Sequence, residues 1–133
     1  MKRRAIILAA LLCGVGLPAH ATEWINCAST DGKAKLAFLV GTIDALSITG
    51  LTLSVGQASW SSAAAYGPGT PVHVGQAYED SETIRIDAMD ESFAFRVAEL
   101  RLFKTGEGDG EVVIAGTLRI PDHGAWAVTC SGP

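Results

Sequence analysis

From residue 24 onward, apolar side chains recur at every second position in short runs, and glycine interrupts them again and again. Fifteen glycines are spread along the 133 residues, many of them in turn-like contexts such as Asp31-Gly32, Gly67-Pro68-Gly69 and Gly106 to Gly110. A period of two is the signature of a strand with one buried face, and Gly-rich punctuation at this spacing marks turns. The runs 24–28, 35–40, 46–55, 72–78, 83–88, 96–104, 111–120 and 125–130 each fit a short strand. Within 46–55 the apolar residues Leu46 and Ile48 change phase to Leu51, Leu53 and Val55, and the change falls at Gly50. A bulge or bend there is the natural cause. The glycines of 106–110 disfavour helix and predict a hairpin between 96–104 and 111–120. Residues 90–104 carry two patterns. Phe93, Phe95 and Val97 alternate like a strand, while Phe93, Val97, Leu100 and Lys104 are spaced like one face of a helix; the flanking pattern favours strand. About eight short strands in one domain predict an all-β fold, a small antiparallel barrel or sandwich.

The first 21 residues read differently. Lys2, Arg3 and Arg4 precede an apolar run of 13 residues, 5–17, and Ala19-His20-Ala21 follows Pro18. Charged, apolar and small-residue segments in that order form a secretory signal peptide with cleavage after Ala21. The run is too short for a membrane-spanning helix, which needs about 20 residues. Cys13 raises the alternative of a lipid anchor. Lipidation needs a small residue just before the cysteine, and Leu12 stands there. The expected product is a single exported domain, residues 22–133, periplasmic or secreted and without a membrane span.

Cleavage removes Cys13 and leaves Cys27 and Cys130, one near each end of the domain. In an oxidising compartment two such cysteines predict a disulfide tying the first strand to the last. Neither cysteine has a histidine near it in sequence, so a zinc pair is a poor alternative and no metal or cofactor is expected. Losing three basic residues leaves seven against fourteen acidic ones, a net charge of −7 with histidine neutral. That balance disfavours nucleic acid and anionic lipid as partners. It suits solubility or a basic protein partner.

Candidates for chemistry are few. His73 lies in a Val-His-Val strand, and His123 in the turn Pro121-Asp122-His123-Gly124; neither has metal-type spacing to a second ligand. Acidic residues cluster at 79–82, 87–91 and 107–111. Carboxylates among Asp80, Asp87 and Asp90 would serve a small hydrolase of cell-wall or sugar substrates if they faced one another across about 5–10 Å; solvated turns are the plainer reading. The long connection 56–71 is richer. Trp60 stands among serines, and Tyr66 precedes Gly67-Pro68-Gly69. Aromatics with Ser and Gly make adaptable recognition loops; Trp60 could equally belong to the core. Trp60, Ser62 and Tyr66 are the candidate binding residues.

Several of these features together resemble bacterial inhibitors of C-type lysozyme, which are small exported β-barrels with a disulfide. Trp24-Ile25-Asn26-Cys27 opens the domain, Asp31-Gly32 follows, Ser62-Ala63-Ala64-Ala65-Tyr66 lies mid-chain, and Cys130 closes it. The mid-chain motif keeps the spacing of the family's Ser-Gly-x-x-Tyr and departs from it by the missing glycine, with Ala63 in that place. The resemblance implies that Ser62 and Tyr66 lie near a loop inserted into the lysozyme cleft. Three functions follow as expectations: a non-catalytic envelope binding protein, with a lysozyme inhibitor as its sharpest form; the carboxylate hydrolase; and an envelope assembly component that pairs through a sheet edge.

Overall fold

In the computed structural model, which describes residues 22–41 and 46–132, the alternating runs form ten strands. They are β1 (Glu23–Ser29), β2 (Ala34–Gly41), β3 (Ser47–Val55), β4 (Ala58–Ser61), β5 (Thr70–Pro71), β6 (His73–Glu79), β7 (Thr83–Met89), β8 (Arg96–Thr105), β9 (Val113–Ile120) and β10 (Gly124–Ser131), with one 3-10 turn at Ala64–Tyr66. The export segment, with Cys13 and the Ala21 cleavage point, lies outside the described residues. All ten strands belong to one sheet in the order β5-β4-β3-β2-β1-β10-β9-β8-β7-β6. The two outermost strands, β5 and β6, are consecutive in the chain, and β6 lies beside β3, so the sheet curls into a nearly closed barrel. A barrel, not a sandwich, is therefore the outcome of the all-β expectation. The count exceeds the expected eight because β4 and β5, four and two residues long, lie inside the segment read as a connection.

Alternation sorts the side chains. Phe38, Leu36, Leu51, Leu53, Ile84, Ile86, Leu100, Leu102, Leu118, Ile120 and Val128 point inward and are buried. Removing each such side chain from water contributes about 1.5–3 kcal/mol before chain entropy is counted. Three bulges adjust the curvature. Leu39 faces Gly50 and Val40 faces Ile48, so Thr49 is the unopposed residue on β3. The phase change read at Gly50 is this bulge, one residue earlier. Gly75 is left unopposed on β6 and Val97 on β8. The third bulge explains why Val97 is out of phase with Ala98, Leu100 and Leu102. Residues 96–105 are strand, and the hairpin with β9 around 106–110 forms as expected.

Cys27 and Cys130 stand directly opposite each other in the β1–β10 ladder, with sulfurs 2.03 Å apart and Cα atoms 4.0 Å apart. The disulfide thus locks the one strand pair that joins the first strand to the last. No helix among the described residues is long and apolar enough to cross a membrane.

Candidate functional site

The outer face of β1, β2 and β3 is unusually smooth. Register places Asn26, Ala37 and Thr52 in one row and Ala28, Lys35 and Ser54 in the next. Small side chains at almost every one of these positions leave a trough over the sheet. Residues 62–69 fold back across β3 and wall it, so that Tyr66, Gly67 and Pro68 face the β1–β2 side. The resulting groove has a volume of about 580 Å³, within the range of small-ligand sites. Lys35 is the only charged side chain that lines it. Among the described residues Lys35 has no carboxylate within ion-pair distance, while Lys33 pairs with Asp31 and Lys104 with Glu79.

Tyr66 holds the wall in place. Its ring lies over Gly50 and meets Trp24 edge-on, with centroids 5.4 Å apart, and its hydroxyl donates to the Thr49 carbonyl at 3.3 Å. Gly50 permits this contact: a Cβ there would come within 2.9 Å of Tyr66 Cε2 and 3.1 Å of Trp24 Cη2. Leu39, in the same row as Trp24 and Gly50, is buried although it faces outward. Trp24, Leu39, Gly50 and Tyr66 form a small apolar patch separate from the barrel core. Gly69 secures the other end of the strap, because a Cβ at its φ of +150° would sit 2.8 Å from the Ser59 carbonyl.

The three candidate binding residues therefore have different fates. Tyr66 is 37% exposed and forms the groove wall. Ser62 accepts the Leu51 N–H at 2.9 Å, continuing the pairing of β3 beyond the end of β4. Trp60, opposite Leu53, turns inward and packs partly buried against the core, where its ring meets His123 edge-on at 5.3 Å. Trp60 shares the inward phase of Leu53, yet the residue still lines the groove beside Tyr66, Gly67 and Pro68. The strap is pinned to the sheet by Tyr66 over Gly50 and by Gly69 against Ser59.

The candidate carboxylates do not converge. Asp80 caps the β6–β7 turn, accepting the backbone N–H groups of Glu82 and Thr83 at 2.9 and 2.6 Å. These bonds hold its carboxyl down to about 2. Asp90 caps the β7–β8 loop, accepting the Phe95 N–H at 2.8 Å and the Ser92 hydroxyl. The Phe95 N–H, then the Ser92 hydroxyl, keep it below the usual carboxylate range. Strand β7, seven residues long, separates the two by roughly 20 Å. Asp87 is buried on the outer face between Arg101, 2.7 Å away, and Arg96, 3.3 Å away. Its Oδ1 lies off the hydrogen-bonding direction of Arg101, so the contact is an ion pair without a hydrogen bond. Glu99, opposite Asp87, is paired with Arg96 and Arg119, and the Arg96 hydrogen bond depresses its carboxyl most. Each acid is occupied by its own turn or ion pair.

One surface was not legible in sequence. In the loop 90–95, Phe93 has a φ of +57°, a left-handed conformation that is an outlier for a bulky residue. Its ring is 56% exposed and stacks on His73 at 5.2 Å, and Phe95 is 74% exposed. The period-two reading placed both rings in a buried strand face. The strand instead starts at Arg96, because Asp90 gathers the loop: its N–H donates to the Phe95 carbonyl at 3.0 Å, and its carbonyl accepts the Phe93 N–H at 3.0 Å.

Comparisons with protein-family models, with curated proteins and with solved structures find no match.

Proposed function

We propose that the chain is an exported, non-catalytic binding protein of the cell envelope, and that its recognition surface is the outer groove of β1–β3 with its Tyr66–Pro68 wall. The groove carries this reading. It is of ligand size, lined by neutral side chains apart from Lys35, edged by an aromatic ring fixed on three sides, and that one cation has no ion-pair partner among the described residues. Such a surface supplies contact area and orientation. It brings no acid–base pair to the bound molecule. Export rests on residues 1–21, and the Cys27–Cys130 bond is compatible with an oxidising compartment.

The first partner to test is a C-type lysozyme. The opening Trp24 to Cys27, Asp31-Gly32 and Tyr66 support the resemblance, and the net charge of −7 for residues 22–133 suits a basic partner. Ser62 Oγ is held at the edge of β3 by the Leu51 N–H, so contact in this version would come chiefly from Tyr66 and the groove rim. The experiment measures lysozyme turnover against increasing amounts of residues 22–133, beside a pull-down from envelope extract. Inhibition weakened at least tenfold by Tyr66→Ala, with the variant still folded by thermal melt, is the expected outcome; a tenfold loss is about 1.4 kcal/mol. Undiminished lysozyme turnover together with no captured protein sensitive to Tyr66→Ala would refute the groove as a recognition surface.

A further inference from the structure

Two features of this molecule lack a partner and match each other. The loop 90–95 offers two exposed phenylalanine rings beside Asp90 and the exposed Glu91. The groove offers apolar walls at Tyr66 and Pro68 and Lys35, which has no ion-pair partner among the described residues. A loop that only joined β7 to β8 would relieve its left-handed turn with glycine or asparagine at position 93 and would not expose the rings. The loop is also held firmly by its Asp90 hydrogen bonds, so little ordering is needed on docking.

The geometry points to a second copy of this chain as the occupant: the Phe93–Phe95 loop of one molecule enters the groove of the next, with Glu91 directed to Lys35. The groove half of this contact rests on the reading above. Loop and groove are different surfaces, so the contact is head-to-tail, and it leaves a free loop at one end and a free groove at the other. One loop in one groove falls well under about 1,200 Å² of buried surface, the range of weak and reversible contacts. The chain is therefore monomeric when dilute, and a groove ligand competes with self-association.

Sedimentation velocity on residues 22–133 from about 10 µM to 1 mM, spanning the Kd range of weak association, reads the contact. Wild type should sediment progressively faster as concentration rises. Phe95→Ala, which removes an exposed ring, should stay monomeric, as should Lys35→Glu, which reverses the groove charge. An equimolar mixture of the two should form a one-to-one dimer and nothing larger, since one supplies an intact groove and the other an intact loop. Adding Glu91→Lys to Lys35→Glu should restore association. Wild type that remains monomeric throughout overturns the proposal. So does association that survives in either variant alone, or a mixture that fails to dimerise. Partner binding sensitive to Tyr66→Ala in a chain that never self-associates would remove this inference and leave the groove reading standing.

Discussion

Replacing Gly50 by alanine isolates the contact on which the groove wall depends. The Gly50 backbone has an ordinary strand conformation, so alanine meets no φ penalty, only the Tyr66 ring at 2.9 Å and Trp24 at 3.1 Å. Ordinary carbon contacts lie at about 3.5–4.0 Å, so the Tyr66 ring must retreat by roughly 0.6–1 Å. Retreat stretches the Tyr66 hydroxyl bond to Thr49, already 3.3 Å long, and loosens the edge contact with Trp24. Overpacking and the weakened bond together should cost about 1–3 kcal/mol. Tyr66→Ala alone removes a ring that is about two-thirds covered and should cost about 1–2 kcal/mol, between a surface and a core truncation. In that background only the edge of the Trp24 ring remains, 3.1 Å from the new Cβ, and with the Tyr66 ring gone it can yield the few tenths of an ångström needed. Alanine is then favoured over glycine within a strand by about 0.5–1 kcal/mol, and the sign of the Gly50→Ala effect reverses. Urea unfolding of the four proteins in the cycle measures the coupling, expected at about 1.5–4 kcal/mol. Equal destabilisation by Gly50→Ala in both backgrounds would show that the ring does not rest on Gly50.

Two further perturbations follow from the same structure. Cys27→Ser or Cys130→Ser opens a loop whose ends are 103 positions apart; the chain-entropy model gives a loss of about 4–5 kcal/mol, read as a fall in the urea midpoint that reductant reproduces in the wild type and not in the variants. For Asp80, the folded-state carboxyl is held down to about 2 by the Glu82 and Thr83 N–H groups, below an unfolded value near 4. A depressed carboxyl stabilises the fold above its unfolded pKa, and that contribution is lost as pH falls from about 4 through about 2. Asp80→Asn should therefore lower the melting temperature at neutral pH and flatten the stability profile across that interval, with the two proteins converging near pH 2.

The all-β class and the inward faces of the strands were legible in sequence because that information is local and periodic, whereas the choice of barrel over sandwich rests on the contact of β6 with β3, which no local pattern shows. Ile84 and Ile86, or Leu100 and Leu102, declare their face without reference to distant residues. The disulfide was legible because only two cysteines remain once residues 1–21 are set aside. The strap was harder. Strands β4 and β5 are too short to show a period, so Trp60 could not be assigned to the inside until its pairing with Leu53 was known. The role of Gly50 was legible as a phase change only, since the ring filling the missing Cβ comes from 16 positions downstream. The exposed Phe93 and Phe95 misled for a different reason. Their spacing is that of a buried strand face, but the Asp90 hydrogen bonds turn the chain before the strand begins. Side-chain capping of a loop leaves no periodic trace.

The position of the disulfide also decides how the domain would bear load. Cys27 and Cys130 are cross-strand neighbours, and only residues 22–26 and 131–132 of the described chain lie outside the bond. Tension applied at the two ends peels those few residues and then passes from sulfur to sulfur. The 102 residues between the cysteines, with the groove and the Phe93 loop among them, carry none of it. The weak seam between β3 and β6 lies in mid-chain, off the line of force. Reduced, the same pull would unzip β1 from β10 first and part the barrel into two meanders joined at Val72, so reductant should convert a mechanically inextensible domain into one that lengthens by roughly 300 Å or more when fully drawn out.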